Sequence, residues 1–221
     1  GHSFPTRRSS DLTCLNPLHT ALAIFGCLLG FNLIADEMKD PTLKKLVENI
    51  GYIEGMPVVV DPKIFNPKDF IKEVIEVRLP NPYIPDTPQR IVSDTSQKIG
   101  IRFGETIKSY MQREDLEPKN LKYIPLAIAG WCRYLMAKDD NGKEMELSPD
   151  PLLNKLKAYV SDIKLSKTEK VGNKLKPILS NEEIFGVNLY TVGLGEKVEN
   201  YFNEMITGIG TVRLTIEKYV K

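Results

Sequence analysis

The stretch from Asn16 to Ala35 reads NPLHTALAIFGCLLGFNLIA and contains the longest apolar run of the chain. It approaches the length needed to cross a bilayer, which is about 20 apolar residues. Polar residues such as His19 and Asn32 interrupt the run, however, and an acidic pair, Asp36 and Glu37, follows it at once. These features favour a helix buried in a protein core over a membrane span.

The beginning of this stretch carries strong signals for the start of a helix. Asn is a favoured N-cap residue and Pro is favoured at the first helical position, so Asn16 and Pro17 predict a helix that begins here. The apolar pattern predicts that it continues to about Met38. Two small residues four positions apart, Gly26 and Gly30, predict that another helix approaches closely.

The composition is that of an ordinary globular domain. The chain has 221 residues, 42% hydrophobic and 27% charged, which is enough for one domain or two small ones. A chain of this length can bury roughly 70% of the surface that its unfolded form exposes, so its core needs no metal or disulfide. A net charge of +1 provides no basic stripe, and nucleic acid is therefore not an expected partner.

The cysteines and histidines point away from metal chemistry. Cys14, Cys27 and Cys132 lie among apolar residues and form no CxxC pair. We interpret them as buried free thiols of a protein in a reducing compartment. The chain has two histidines, which are too few for a histidine-rich site, so we expect no metal.

From Thr13 onward the apolar spacing is helical almost throughout, and no alternating run is longer than a few residues. We therefore predict a mainly α fold. Four prolines between Arg78 and Pro88 predict a shaped loop, followed by a helix from about Pro88 to Lys98. Residues 139–142 read DDNG and predict a surface turn.

Residues 187–195 imitate a nucleotide-binding motif. They read VNLYTVGLG and precede a helical pattern, like a strand, a GxG turn and a helix. The third glycine position is Val198, however, and no second βαβ unit with a suitably placed acidic residue follows. We interpret this segment as an ordinary helix N-terminus.

Two groups of polar residues could take part in catalysis or substrate binding. Asn16 and His19 are three positions apart and can share one face of a helix, although an N-cap Asn and a structural His would give the same pattern. Arg90, Asp94 and Lys98 are spaced by four and would form one stripe on a helix. Such a stripe is either a solvated salt-bridged face or two cations, steadied by the carboxylate between them, that reach substrate oxygens.

Residues 1–12 differ from the remainder of the chain. They are polar, aperiodic and rich in Ser and Arg, and they include the peptide TRRSSDL, whose codons resemble a common sequencing adapter. We interpret residues 1–12 as a non-native, adapter-like tail that should not pack against the core. A disordered basic tail is an alternative, and a targeting peptide is disfavoured because no apolar segment and cleavage site follow.

At two segments the chain resembles a known family. Residues 13–23, TCLNPLHTALA, are similar to the active-site helix of the mannitol dehydrogenase family, the polyol-specific long-chain dehydrogenases that include fructuronate and tagaturonate reductases. Residues 78–98 are similar to the family's other signature, in which a loop of the RFxNP type precedes a helix with an Arg and a Lys eight positions apart. The resemblance covers residues 13–221.

The resemblance implies the domain organisation and the site. It implies an N-terminal Rossmann domain, which is missing here, and residues 13–221 as the helical C-terminal substrate domain of a two-domain dehydrogenase. Asn16 and His19 match the family's catalytic motif, in which asparagine binds the developing alkoxide and histidine positions the substrate. Arg90 and Lys98 match its substrate-contacting pair. We expect all four residues to converge on one concave surface.

One position of the motif departs from the family. The family has a lysine five residues before the Asn, as the general base of a metal-free mechanism, and that position is Asp11 here. The chain as written should therefore be inactive. The implied cofactor is NAD or NADP, bound mainly by the missing domain.

The resemblance also implies a substrate class and leaves an alternative open. The expected reaction interconverts a sugar alcohol or aldonate and its keto sugar, as in fructuronate reductase (D-mannonate oxidoreductase) or mannitol 2-dehydrogenase, in the cytoplasm and without membrane partners. The other candidate is a stand-alone helical interaction module without catalysis. An exposed apolar or mixed patch beside the Asn16 and His19 helix should mark the face that meets the Rossmann domain.

Overall fold

A computed structural model describes residues 15–59 and 66–221 of the chain. The fold is mainly α, as predicted, and among these residues the β structure is limited to an isolated antiparallel bridge between Lys138 and Glu144. The α-helices are α1 (Asn16–Leu29), α2 (Ile34–Glu37), α3 (Pro41–Glu48), α4 (Pro67–Glu73), α5 (Pro88–Ile91), α6 (Thr95–Ile99), α7 (Glu105–Gln112), α8 (Tyr123–Tyr134), α9 (Leu153–Val160), α10 (Lys176–Leu179), α11 (Glu182–Phe185), α12 (Gly195–Met205) and α13 (Thr211–Val220). The expectation that residues 1–12 stay apart from the core falls outside the described residues.

Several helices continue into wider or tighter turns. Three π-helical segments follow helices, at Asn49–Gly55, Val74–Arg78 and Gly100–Gly104, and 3₁₀ turns occupy Met56–Val58 and Pro118–Asn120. Within the described part of the chain, no helix is both long enough and apolar enough to cross a membrane.

Helix α1 lies in the core, as its apolar sequence predicts. Leu18, Leu22 and Phe25 are fully buried, and α1 packs against α5, α8 and the π-helical segment Gly100–Gly104. Elsewhere in the fold, the most extensive contact between two helices joins α8 and α12. The core thus holds α1 from several sides and fixes the direction of the side chains at its first turns.

The two glycines of α1 differ in their roles. Gly26 is a close-packing position as predicted, because a Cβ there would lie 2.6 Å from the Glu37 carboxylate. The prediction is wrong for Gly30, which has open space around it and a φ of 82°. Gly30 ends α1 at Leu29 in the left-handed conformation that glycine adopts without strain, so the predicted single helix to Met38 is two helices.

The predicted surface turn at residues 139–142 is wrong for one residue. Asp140 is buried, and its carboxylate accepts hydrogen bonds from the backbone N–H groups of Val212 (2.9 Å) and Arg213 (3.1 Å) at the start of α13. Its backbone N–H donates to Leu28 O at 2.8 Å, and its carbonyl accepts from Gly210. The turn therefore joins the end of α1 to the beginning of α13.

Another buried acidic side chain is satisfied by backbone groups. The Glu54 carboxylate accepts hydrogen bonds from the N–H groups of Lys122, Tyr123 and Ile124 and so caps α8.

The segment that resembles a nucleotide-binding motif is not one. Residues 187–192 form no strand, in agreement with our interpretation of that segment as an ordinary helix N-terminus, here that of α12.

Candidate active site

Asn16 and His19 lie at the first two turns of α1. Asn16 is the first residue of the helix, and the N-cap position belongs to Leu15, so the expected capping role of Asn16 is wrong. Among the described residues the Asn16 side chain has no hydrogen-bond partner, and it is half-buried. Its amide is therefore not used to hold the helix end. Position 11, where the family motif has its lysine, lies outside the described residues.

Asp86 joins His19 to Arg90. Its Oδ2 lies 3.7 Å from His19 Nε2, and its Oδ1 forms an ion pair with Arg90 Nη2. The carbonyl oxygen of Asp86 accepts a hydrogen bond from the N–H of Ile34 at 2.9 Å, which ties the proline-rich loop to α2. The structure thus brings His19 and Arg90 to one carboxylate, although 71 positions separate them in the sequence.

The predicted stripe of Arg90, Asp94 and Lys98 is wrong. Asp94 has a φ of 57°, and the chain breaks there between α5 and α6 instead of forming one helix from Pro88 to Lys98. The N–H of Asp94 donates to Pro149 O at 2.9 Å, a contact that local spacing does not reveal. Arg90 consequently pairs with Asp86 and not with Asp94.

His19 is held in its neutral form. Burial, together with the positive charges of Arg102 and Arg90, lowers its pKa to about 4. At neutral pH the contact with Asp86 is therefore not an ion pair. A neutral imidazole offers one N–H donor and one acceptor nitrogen, which suits a ring that must orient a hydroxyl group.

Lys98 and Arg102 extend the positive charge beyond Arg90. Burial is the main cause that lowers the pKa of Lys98, and the charges of Arg102 and Arg90 add to it, while Asp94 and Asp150 oppose it. Arg102 Nη1 donates to Thr20 Oγ1 on α1 at 2.7 Å. Three cations and His19 thus lie within electrostatic reach of one another.

Sequence reasoning missed two residues of this cluster. Asp86 lies in the predicted proline-rich loop, where its spacing indicates no role, and only its contacts with His19 and Arg90 reveal one. Arg102 follows Lys98 by four positions, so a search for cations that continue the helical spacing would have found it.

The described cysteines are structural, and no cluster of possible metal ligands lies among the described residues. Cys27 and Cys132 are buried free thiols, as predicted, and burial raises the pKa of Cys27 to about 12. Cys14 lies outside the described residues. Across residues 15–59 and 66–221, His, Cys, Asp and Glu side chains form no group of three or more that could hold a metal ion.

Comparison with known proteins identifies relatives over nearly the whole chain. The family model of the mannitol dehydrogenase C-terminal domain matches residues 7–206. A D-mannonate oxidoreductase of Thermotoga maritima is 68% identical over 213 residues, which are 96% of this chain and 39% of that protein. Mannitol 2-dehydrogenase of Aspergillus clavatus is 28% identical over 219 residues, 99% of this chain and 41% of that protein.

A solved structure gives the same result for the fold. Pseudomonas fluorescens mannitol 2-dehydrogenase, in a ternary complex with NAD and D-mannitol, superposes with a TM-score of 0.81 at 22% identity, over 99% of this chain and 41% of that one. The chain thus spans about 40% of the length of these relatives. On this evidence the chain belongs to the mannitol dehydrogenase family and corresponds to its C-terminal domain.

Proposed function

We propose that this chain is the substrate-binding part of an NAD-dependent oxidoreductase that interconverts a sugar alcohol or sugar acid and its keto sugar. Family membership supports the reaction class, and the 68% identity to a D-mannonate oxidoreductase supports the sugar acid. The observation that carries the proposal is the cluster of His19, Asp86 and Arg90, because it joins both family signatures in space.

The described residues do not fit a nicotinamide cofactor. Dinucleotide sites use a glycine-rich turn between a strand and a helix, and the part of the chain that the structure describes has no such strand. A further domain would have to bind NAD. None of the described residues therefore determines the choice between NAD and NADP in this proposal.

The residues of this chain would act on the oxygen atoms of the substrate. Asn16 would donate its amide N–H to the oxygen at the reacting carbon, where negative charge develops as the hydroxyl proton leaves. His19, as a neutral ring, would hold a neighbouring hydroxyl group. Arg90 and Lys98 would donate to hydroxyl or carboxylate oxygens further along the sugar.

The base that takes the hydroxyl proton belongs at position 11 in this proposal. The aspartate there is acidic and has no cationic or donor function toward an alkoxide, so turnover by the chain as written is not expected. Residues 1–12 remain, in our proposal, a non-native tail. A cytoplasmic location belongs to the same proposal, since Cys27 and Cys132 are unpaired thiols.

A hybrid enzyme tests the function. The chain, with Asp11→Lys, would be joined to the N-terminal part of the Thermotoga maritima D-mannonate oxidoreductase. We expect NAD-dependent oxidation of D-mannonate, followed as NADH absorbance, and a kcat about 10² to 10⁴ times lower when Asp11 is retained, because general base catalysis is lost. A folded Lys hybrid that oxidises neither D-mannonate nor D-mannitol would contradict the proposal.

A further inference from the structure

Arg102 is anchored beside the candidate site by a single contact. Its side chain leaves the π-helical segment Gly100–Gly104, and Nη1 donates to the hydroxyl of Thr20, which is buried on α1 directly after His19. An arginine has five N–H donors, and this contact uses one of them. The guanidinium is thus fixed in position with most of its donors available.

The charge of Arg102 lacks a balancing carboxylate. Within the described part of the chain, no ion pair includes Arg102, whereas Arg90 pairs with Asp86 and Arg113 with Asp115. Burial lowers the pKa of Arg102, and no neighbouring carboxylate opposes this effect. A partly desolvated cation without a partner is unfavourable, so an anionic group at this place would be stabilised.

The surroundings of Arg102 indicate where the anion would lie. Arg102 bonds to Thr20, the residue after His19, and it follows Lys98 by four positions in one continuous helical run, so it lies close to both. Its charge accordingly has the largest effect of any neighbouring charge on the pKa of each. Lys98 is half-buried, and its ammonium would contribute a second positive charge to the same position. A carboxylate suits such a place, because the planar guanidinium binds its two oxygens with parallel hydrogen bonds.

We propose that Arg102 binds the carboxylate of a sugar acid and thereby determines whether the site prefers an aldonate or a neutral polyol. This inference rests on the proposed function and adds to it the residue that selects the substrate class. Arg90, whose charge Asp86 already balances, would instead bind hydroxyl groups. The selectivity would thus come from the cation that the protein itself leaves unpaired.

The hybrid described above tests this inference through the ratio of two substrates. In Arg102→Gln we expect kcat/KM for D-mannonate to fall about 10- to 150-fold, mainly through KM, because a charge-assisted contact is lost. The kcat/KM for D-mannitol should change less than about threefold, since a neutral polyol has no carboxylate. Arg102→Lys should restore part of the D-mannonate activity, and Arg113→Gln is the control at an exposed, paired arginine.

A measurement on the chain alone tests whether Arg102 lies beside His19, independently of any substrate preference. Because Arg102 lowers the pKa of His19, the His19 ring of Arg102→Gln should titrate at a higher pH than in the unsubstituted chain, as followed by NMR. Equal losses for both substrates, or none, would overturn the proposal while leaving the oxidoreductase function intact. A folded hybrid inactive on both substrates would overturn the function and this inference together.

Discussion

His19 is a histidine whose charge does not change over the physiological pH range. Its pKa of about 4 results first from burial and then from the guanidinium groups of Arg102 and Arg90. The ring therefore keeps one donor and one acceptor nitrogen between pH 5 and 8. Any pH dependence of substrate binding in that range must come from another group.

NMR can check this assignment on the isolated chain. The chain has two histidines, His2 and His19, so a His19→Gln variant identifies the His19 signal. We expect its midpoint near pH 4. In the unfolded chain the His19 ring takes up a proton near pH 6.5, whereas in the folded chain it does so only near pH 4. The preference of the fold for the neutral ring therefore contributes its full stabilisation above pH 6.5 and loses it as the pH falls toward 4. A midpoint at 6.5 or above would contradict the buried, neutral ring.

Glu37 is the least compensated acid in the core. It is fully buried against Gly26, and neither carboxylate oxygen has a hydrogen-bond partner among the described residues. Burial raises its pKa well above the usual value, and the nearby charge of Asp40 adds to the effect. Glu37 is therefore protonated in the folded chain at pH values where an exposed Glu is ionised.

Denaturation experiments can test the state of Glu37. Above the unfolded-state pKa of about 4.3, the unfolded chain releases a proton that the folded chain retains, so stability falls by up to ~1.4 kcal/mol per pH unit. Glu37→Gln removes this dependence. From pH 5 to pH 7, its stability in urea should rise relative to that of the unsubstituted chain. The substitution Glu114→Gln at an exposed position serves as the control and should not show this trend. If the stabilities of Glu37→Gln and the unsubstituted chain changed with pH in parallel, the protonated state of Glu37 would be refuted.

At the scale of elements, the break between α5 and α6 shows what local sequence can and cannot predict. The proline-rich loop and the helical character on both sides of the break follow from residue preferences. The break itself depends on Pro149 and Asp150, which bind the backbone N–H groups of Asp94 and Ser96 from more than 50 positions away. No spacing rule within residues 88–98 contains that information.

Two substitutions at Asp94 distinguish a break from a continuous helix. At a φ of 57°, alanine is strained, so Asp94→Ala should lower the stability by about 1 kcal/mol more than Asp94→Gly does. In a chain of this size the difference corresponds to about 2 to 4 °C in Tm. A continuous helix would give the opposite order, because alanine is the better helix former.

The same limit applies to the candidate site. Asn16, His19, Arg90 and Lys98 followed from the two family signatures, and His19 and Arg90 do meet at one carboxylate. Their connection through Asp86 did not follow, because it depends on how the loop packs onto α1 and α2. The catalytic and binding roles of these four residues remain predictions.

At the scale of the whole molecule, the loop that carries Asp86 exposes two large apolar side chains. Tyr83 is 92% exposed and Ile84 is 44% exposed, and both lie in the loop that carries Asp86. Large apolar side chains in such a place are typical of surfaces that face another protein or domain. That a Rossmann domain covers these side chains remains a prediction.

The contacts of Asp140 also constrain how the chain can fold. Asp140 links Leu28, near the start of the described chain, to Val212, near its end, and Asn49 in addition bonds to Val220 O at 3.1 Å. During synthesis at the ribosome, the end of α1 therefore cannot complete these contacts until residues 210–220 have emerged. Such distant pairings slow folding, because the long intervening segment must first be ordered. A nascent chain of this protein would leave part of its most apolar helix exposed until residues 210–220 have emerged, and exposed apolar surface of this kind favours association with chaperones.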